Sequence, residues 1–306
     1  MKKPIITIVV FVTLVILSDY MFGTICNYLF VNAKPNTTTY RELYQYKELE
    51  SDVLMMGSSR MQHHYVSSII EDSTNMSVYN LGKDGAGIYR SYAYLHFISR
   101  RKLPKLIIYD PYYYDLYFEY GITPEDDVIK QLKPLKIYAH DPFVRAMIKD
   151  ISPNEDIKLH SNLYKYNSEF VRLLRDKTTL RRTLEESNGY EPLYRTLDYE
   201  PEQTNEILTI DNNKISYIQK LINLCEDNNI KLVFTLSPMY KFNIEKYFIP
   251  LMKLCHDNNI EFISFNNTEL FNSHREYFQD QNHLNDTGAR IYTEMLIKEL
   301  RNRSII

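Results

Sequence analysis

Two segments of the chain, 221–236 and 251–266, repeat one pattern, and this repeat constrains the fold more than any other feature. They read LINLCEDNNIKLVFTL and LMKLCHDNNIEFISFN. Each combines the end of a helix, an Asn-rich turn and a short apolar strand, and Asn tolerates the left-handed conformation that closes a helix. Cys225 and Cys255 occupy equivalent positions in the two units, and the sequence leaves open whether they pair. Two successive helix–strand units of this kind indicate a parallel sheet whose strands are connected by helices.

The same alternation is present in the first half of the chain. Three strands are predicted there, in DVLMMG (52–57), SVYNLG (77–82) and KLIIYD (105–110). Helices are predicted between them, in VSSIIED (66–72) and YRSYAYLHFISRR (89–101). A last helix is predicted over 286–301, with Asn285 or Asp286 as its N-cap. The predicted fold class is therefore α/β, a three-layer α/β/α sandwich around a short parallel sheet of five strands.

The N-terminal segment predicts a membrane anchor. Lys2 and Lys3 precede PIITIVVFVTLVILS (4–18), which carries no charge, and after Asp19 the apolar sequence resumes in 20–30. About 20 apolar residues cross the hydrocarbon core, and the lack of a small-x-small cleavage site favours an uncleaved anchor over a signal peptide. The paired lysines predict a cytoplasmic N-terminus, with Asp19 near the outer interface and the rest of the chain outside. A buried helix of a soluble protein is the alternative.

The chain is predicted to divide into an anchor (1–31), a linker with a short helix (32–50) and one α/β domain (51–306). Within that domain, charges and prolines interrupt the alternation over 111–205. We interpret this stretch as an insertion, a cap or lid, with a helix over 160–177. The net charge of −3 and the lack of a long basic run argue against nucleic acid as a partner.

Polar residues occur at three points where the predicted topology would bring them together. The first strand ends in GSS (57–59), and the second leads into a loop with three glycines (82–87). The sequence DQNH (280–283) precedes the last helix. Open parallel sheets bind ligands outside the carboxyl ends of their strands. Each motif alone is also typical of a turn or a helix cap, but their order predicts one site.

The chemistry that this site suggests is nucleophilic catalysis by Ser59. A serine hydroxyl needs a base within hydrogen-bond reach, and that base needs an orienting partner. The spacing of Asp280 and His283 predicts that both lie on one turn, with the carboxylate holding the imidazole. The glycines of the 82–87 loop would let backbone N–H groups approach a developing oxyanion. No metal-ligand spacing is present, and we expect neither a metal nor another cofactor.

In this order the motifs resemble those of the SGNH/GDSL hydrolases, over about residues 50–300. The GSS at 57–59 is similar to the family's Gly-Asp-Ser block, with Ser58 in place of Asp. The NLGKDG at 80–85 is similar to the second block, and the DQNH at 280–283 to the block that ends in the catalytic His. The resemblance implies a short flavodoxin-like sheet. It also implies a catalytic triad of Ser59, His283 and Asp280, with the backbone N–H groups of Ser59 and Gly85 as the oxyanion hole.

The third block of that family departs here, because Gly-x-Asn-Asp is replaced by YDP at 109–111. The Asn that helps to hold the oxyanion is therefore missing. With this departure and its anchor, the chain resembles extracytoplasmic members of the family that move acyl groups onto cell-surface polymers, as in alginate acetylation and teichoic-acid alanylation. The resemblance implies a serine esterase or O-acyltransferase in the bacterial periplasm or at the cell surface. Its partners would be an acylated glycan or envelope polymer, the membrane and, as one option, a membrane-bound acyl donor.

The missing Asn also supports an alternative without catalysis. In that interpretation, an inactive SGNH fold binds glycans or serves as a scaffold in an envelope-assembly complex. The tyrosines after the third strand could offer aromatic faces to sugars, or pack under the insertion and at the membrane interface: Tyr109, Tyr112, Tyr113, Tyr114, Tyr117 and Tyr120. A flavodoxin-like nucleotide binder is disfavoured because no phosphate loop follows the first strand.

Further residues are candidates for the same site. Substrate contact is predicted for Arg60, Asn80, Asp110 and Tyr112. His63 and His64 follow Ser59 closely, but in the first turn of a helix they need not face it, so they are weaker candidates for the base than His283. Ser237, at the end of the fourth strand, is expected to shape the floor of the pocket.

Overall fold

The computed structural model describes residues 2–35, 37–178, 187–201 and 207–306. The chain divides into two compact units. The first combines Met1–Lys47 with Leu132–Arg182, and the second combines Glu48–Gln131 with Thr183–Ile306. The stretch 111–205, predicted as one insertion, is shared between these units, and its residues 179–186 and 202–206 lie outside the described residues. The predicted boundaries of anchor, linker and α/β domain stay predictions.

The second unit contains the parallel sheet. Its strands are β1 (Val53–Gly57), β2 (Val78–Asn80), β3 (Leu106–Asp110), β4 (Lys231–Leu236) and β5 (Glu261–Ser264). All neighbouring strands are parallel, in the order β2-β1-β3-β4-β5. This is the strand order of flavodoxin-like folds. Every residue of β1 and β3 is buried, as expected for strands covered on both faces. The predicted α/β class is therefore confirmed.

Helices connect and follow these strands along the chain. Numbered along the whole chain, they are α3 (Ser59–His64), α4 (Ser67–Thr74), α5 (Ile88–Ser99), α6 (Pro124–Leu132), α11 (Asn212–Asp227), α12 (Ile249–Asp257), α13 (Glu269–Ser273) and α14 (Asp286–Asn302). Helix α14 packs with α3 and α4, and one core joins them to Val53, Met55 and Ile108 of the sheet. Helices α5 and α11 pack on each other through Tyr89 and Tyr217. Asn285 caps α14 by accepting the Gly288 N–H, as predicted.

The two repeated segments form equivalent turns. Asn229 and Asn259 take the left-handed conformation, with φ of 54° and 52°. In both turns the N–H five residues after the cysteine, at Ile230 and Ile260, donates to that cysteine's carbonyl at 2.8 Å. The thiols of Cys225 and Cys255 are free and buried, and burial raises the pKa of each to about 12. They therefore behave as apolar core groups and not as nucleophiles.

The first unit is built around one long helix. Its helices are α1 (Lys2–Val31), α2 (Thr38–Lys47), α7 (Pro142–Ile151), α8 (Pro153–Lys158), α9 (Asn162–Tyr166) and α10 (Phe170–Thr178). The helix predicted over 160–177 is thus two helices, separated by a turn at 167–169. Helix α1 is long and apolar enough to cross a membrane once. The cytoplasmic position of its N-terminus stays a prediction.

Candidate active site

The sequence GSS at 57–59 forms the turn between β1 and α3 and presents a hydroxyl group. Gly57, at the end of β1, lies beside Asp110, at the end of β3. A Cβ at Gly57 would lie 2.4 Å from the Asp110 carbonyl oxygen, and its φ is +152°. Only glycine therefore lets the two strands end this close together. Ser59 then begins α3, so its backbone N–H is one of those that the helix leaves without an internal acceptor.

The structure brings Ser59, His283 and Asp280 into one hydrogen-bonded chain. Ser59 Oγ lies 2.8 Å from His283 Nε2, and His283 Nδ1 lies 2.9 Å from Asp280 Oδ1 and 3.0 Å from Oδ2. Partial burial acts to raise the pKa of Asp280, but hydrogen bonds from His283 and the Asn282 N–H outweigh it and hold that pKa below its usual value. Asp280 is therefore a carboxylate, so Nδ1 of His283 carries the proton and Nε2 can accept the Ser59 proton.

The loop that carries Gly85 is hydrogen-bonded to the end of β1 and to α3. Asp84 N–H donates to the Gln62 side chain at 2.9 Å, and Lys83 N–H donates to the Gly57 carbonyl at 3.4 Å. Gly85 takes the left-handed conformation, with φ of +67°, which favours glycine. Gly85 and Ser59 line the same cavity. The two residues predicted to form the oxyanion hole are thus on one surface.

This cavity has a volume of about 260 Å³ and opens beside the Ser59 hydroxyl. Tyr112 and Tyr114 line it on the side that follows β3. Helix α6 contributes Gln131 and Lys130, and the latter is paired with Glu119. These α6 residues were not predicted as part of the site, because nothing in the sequence of a polar helix shows which cavity it borders.

Asp115 fixes the wall of the cavity that carries Tyr112. This buried carboxyl accepts the Ile88 N–H at 2.7 Å, and the Tyr112 N–H and the Tyr109 hydroxyl at 3.2 Å. Burial raises the pKa of Asp115 to about 6. Asp115 therefore joins the start of α5 to the tyrosine-rich segment.

The tyrosines at the end of β3 and after it divide between sugar binding and packing, the two roles considered for them. Tyr109, Tyr113 and Tyr117 are buried, and Tyr120 is exposed. Tyr112 and Tyr114 are half-buried at the cavity. Only these last two can therefore offer an aromatic face to a ligand beside Ser59.

Three of the four residues predicted to contact substrate hold the site together from inside. Asn80 donates to the carbonyls of Met61 and Tyr65, at 2.7 and 3.1 Å, and accepts the Gly82 N–H. Arg60 donates to Asp110 at 2.7 Å and to the Pro111 carbonyl at 2.5 Å. Asn80 and Asp110 are fully buried, so a substrate could reach them only if these bonds broke. Arg60 is also 1% exposed, although it borders the cavity.

A second cluster, His64 with Ser237 and Asp110, lies buried under the site. The Leu284 N–H donates to His64 Nε2 at 3.0 Å, so Nε2 has no proton and Nδ1 carries it. His64 Nδ1 then donates to Ser237 Oγ at 2.8 Å, and Ser237 donates to Asp110. Burial lowers the pKa of His64 well below its usual value, and the neighbouring basic side chains of His283 and Arg60 act in the same direction. His64 is therefore neutral. Its unprotonated nitrogen accepts a hydrogen bond from the N–H of Leu284, the residue that follows His283.

The surroundings of His63 favour the charged form of its ring. Its Nδ1 lies 2.6 Å from the Glu191 carbonyl, and its Nε2 lies 3.1 Å from Asp84 Oδ1. Burial alone would lower the pKa of His63, but Asp84 and the Glu191 carbonyl outweigh it and raise that pKa. Since both nitrogens face acceptors, His63 is an imidazolium when it makes both bonds. Neither His63 nor His64 is then free to accept the Ser59 proton, and the geometry favours His283 as the base.

No protein-family model matches the chain, and no curated protein matches it. Among solved structures it is similar to the acetyl xylan esterase AlAXEase, with 12% identity and a TM-score of 0.41, over 82% of this chain and 100% of that one. A Bacteroides fragilis protein proposed to be an acylhydrolase has 11% identity and a TM-score of 0.41, over 87% and 95% of the two chains. A Streptococcus pneumonia protein proposed to be a platelet activating factor has 12% identity and a TM-score of 0.41, over 90% and 95%. At such low identities and TM-scores, the function has to be inferred from this chain's own side chains.

Proposed function

We propose that the protein is a serine esterase or O-acyltransferase acting on acyl esters of a cell-envelope polysaccharide. The observation that carries the proposal is the hydrogen-bonded chain Ser59–His283–Asp280 at the edge of a cavity. An ordinary serine hydroxyl is a weak nucleophile, and a base held by a carboxylate is the arrangement that activates it.

The proposed reaction has two halves. Ser59 Oγ attacks the ester carbonyl while His283 Nε2 takes its proton, and the N–H groups of Ser59 and Gly85 hold the oxyanion. The bond from the carbonyl carbon to the sugar oxygen breaks, and His283 gives its proton to that departing oxygen, so the sugar leaves with a free hydroxyl and the acyl group stays on Ser59. His283 then deprotonates water or a second sugar hydroxyl, which attacks the acyl-enzyme. The acyl group leaves as an acid or a new ester, and Ser59 recovers its proton.

The missing third-block Asn lowers the rate expected of this site. One oxyanion donor is typically worth about 100- to 1,000-fold in kcat, so two backbone donors alone support slower turnover than three. The Asp110 carboxyl that replaces the block is buried and paired with Arg60. Its charge is therefore screened from the oxyanion position, and it does not by itself exclude catalysis.

The cavity supports a small acyl group on a sugar. Its volume of about 260 Å³ is below the roughly 300–1,000 Å³ of sites for drug-sized ligands, which argues against a long acyl chain. Tyr112 and Tyr114 supply aromatic faces, and Lys130, Glu119 and Gln131 supply hydrogen-bonding groups for hydroxyls. The apolar N-terminal helix, long enough to cross a membrane, agrees with action at the cell envelope. The extracytoplasmic orientation and a membrane-bound acyl donor are parts of this proposal.

The second candidate function is glycan binding without catalysis, in a scaffold of an envelope-assembly complex. The departure of the third block at 109–111 favours it. The two candidates differ in one property, since only the enzyme has an activated Ser59.

The test is covalent labelling of the full-length chain in detergent with a fluorophosphonate, and mass spectrometry to find the labelled peptide. We expect label on Ser59, lost in Ser59→Ala and in His283→Ala but kept in Ser237→Ala, the matched buried serine. Absence of label on a chain shown by circular dichroism to be folded would reject the enzyme. Retained glycan binding in Ser59→Ala would then support the scaffold.

A further inference from the structure

The middle of α1 is fixed to the start of α9 by one carboxylate. Asp19 accepts hydrogen bonds from Ser161 Oγ at 2.7 Å, from the backbone N–H of Asn162 and of Leu163 at 2.8 Å, and from the Asn162 amide at 3.1 Å. One turn later, a Cβ at Gly23 would lie 2.3 Å from the Asn162 side chain. The first turn of α9 therefore lies at the level of Asp19 along α1.

Helix α10 continues this contact along the second half of α1. The rings of Phe22 and Phe170 have centroids 5.1 Å apart, and Lys177 donates to the carbonyl of Asn32. On this side of α1, Cys26 and Phe30 are buried. From Asp19 onward, α1 is therefore partly enclosed by the folded first unit, whereas residues 3–18 are exposed all round.

The exposed part of α1 is too short to cross a bilayer alone. At 1.5 Å per residue, Pro4 to Asp19 spans about 22 Å, whereas the hydrocarbon core is about 30 Å thick. Any tilt of the helix shortens its span further. An untilted α1 that begins its crossing at Pro4 would leave the hydrocarbon about five residues after Asp19.

Apolar side chains are exposed at this level of the first unit. Leu163 of α9 and Val171 of α10 are 59% and 74% exposed, and Ile157 of α8 is 67% exposed. On α1 itself, the exposed side chains between Asp19 and Val31 include Tyr20, Met21, Ile25 and Tyr28. Apolar side chains exposed beside a membrane-spanning helix favour contact with lipid over contact with water, and tyrosines are enriched at membrane interfaces.

We infer that α9 and the start of α10 enter the membrane together with α1, so that Leu163 and Val171 contact lipid acyl chains. The occupant of this surface is the bilayer, because the surface continues the membrane-spanning face of α1 at a depth that the hydrocarbon must reach. Asp19 then needs no water, since four donors satisfy its carboxylate. In this arrangement Asp19 does not face solvent at the interface, as predicted from the sequence, but is held by protein donors. The inference does not depend on the chemistry of Ser59.

The chain has no Trp, so single tryptophans can report depth in the full-length protein. We would reconstitute Leu163→Trp and Val171→Trp in phosphatidylcholine–phosphatidylglycerol vesicles that contain lipids brominated along the acyl chain. Val10→Trp, in the exposed part of α1, is the deep reference. Val31→Trp, about 18 Å beyond Asp19, is the shallow reference. All four positions are at least 40% exposed, so the substitutions leave the core intact.

We expect brominated lipid to quench the reporters at positions 163 and 171 at least half as strongly as the reporter at position 10, and aqueous iodide to quench them weakly. The reporter at position 31 should show the reverse. If iodide quenches the reporters at 163 and 171 as strongly as the one at 31, this surface lies in water and the inference is rejected. If brominated lipid leaves the reporter at position 10 unquenched, α1 does not cross the bilayer and the inference falls with it.

Discussion

The second unit contains two clusters of one serine, one histidine and one aspartate, and they differ in the order of their bonds. In the open cluster the histidine lies between the others, as Asp280–His283–Ser59. In the buried cluster the serine lies between, as His64–Ser237–Asp110. The imidazole rings of His64 and His283 are only 6.1 Å apart. The same residue types therefore occur twice in nearly the same place.

The order of the bonds decides what each serine can do. His283 presents an unprotonated nitrogen to Ser59, so it can take a proton and make the oxygen nucleophilic. His64 instead donates to Ser237, and its unprotonated nitrogen is occupied by the Leu284 N–H. Ser237 therefore donates its hydrogen bond to Asp110, and His64 cannot activate it. The buried cluster supports the open one, because Leu284 follows His283 directly in the chain.

Removal of Ser59 and removal of Ser237 should have the most different consequences. Ser59→Ala should lower ester hydrolysis by roughly 10³- to 10⁶-fold, as for nucleophiles of other triads, and leave the melting temperature unchanged because Ser59 is half-buried beside the cavity. Ser237→Ala should keep Ser59 labelling within about tenfold but destabilise the fold by about 1–3 kcal/mol, because its buried partners lose a bond. Aryl acetate hydrolysis and thermal unfolding of the full chain in detergent measure both. Equal loss of activity in the two variants would contradict the division of roles.

Asp280 and Asp110 should differ in the same way as the two serines: loss of Asp280 should lower the rate, and loss of Asp110 should lower the stability. Asp280→Asn should lower the rate by about 10²- to 10⁴-fold, because an amide no longer holds His283 in the required tautomer. Asp110→Asn should instead destabilise the fold by about 3–5 kcal/mol, since the buried Arg60 loses its charged partner. Chemical unfolding curves and labelling rates of both variants test this. A stable Asp110→Asn with a slow Ser59 would place Asp110 in the catalytic machinery instead.

How far the sequence predicted these features depends on how local each signal is. The strands, the left-handed Asn229 and Asn259, and the cap at Asn285 follow from short patterns, and the structure has them. Ser59, Gly85, Asp280 and His283 follow from motif order; Ser59, Gly85 and His283 line one cavity, and Asp280 bonds to His283. The buried cluster could not be predicted, because His64, Asp110 and Ser237 are far apart in sequence and their roles depend on which nitrogen the Leu284 N–H reaches. Substrate contact was predicted for Arg60, Asn80 and Asp110 from their position at strand ends, which does not show that their bonds turn inward.

The two adjacent histidines, His63 and His64, should change the free energy of unfolding with pH in opposite directions. The contribution of His64 should be the larger. The folded pKa of His64 lies below its unfolded value of about 6.5. Below that pH the unfolded chain binds a proton that the folded chain does not, so stability falls by up to about 1.4 kcal/mol per pH unit. The free energy of unfolding between pH 7.5 and 5 should therefore fall less steeply in His64→Gln than in the unchanged chain. The exposed His256→Gln is the control, and the same slope in all three proteins would contradict a neutral His64.

The smallest expected effect concerns the pair of His63 with Asp84, which fastens the loop of Gly85. The folded pKa of His63 is raised, so its stabilisation is present below about pH 6.5 and is lost as the pH rises through the raised pKa. Because the Asp84 side chain is 70% exposed, Asp84→Asn should cost less than about 1 kcal/mol at pH 6, with no cost once His63 is neutral. In Asp84→Asn we expect the Ser59 labelling rate at pH 6 to fall a few-fold. In the unchanged chain, 0.5 M salt should produce part of the same fall, because salt screens the ion pair. The exposed Asp72→Asn is the control and should change neither the stability nor the labelling rate. If Asp84→Asn and Asp72→Asn label at the same rate at every pH, the loop holds its position without the ion pair.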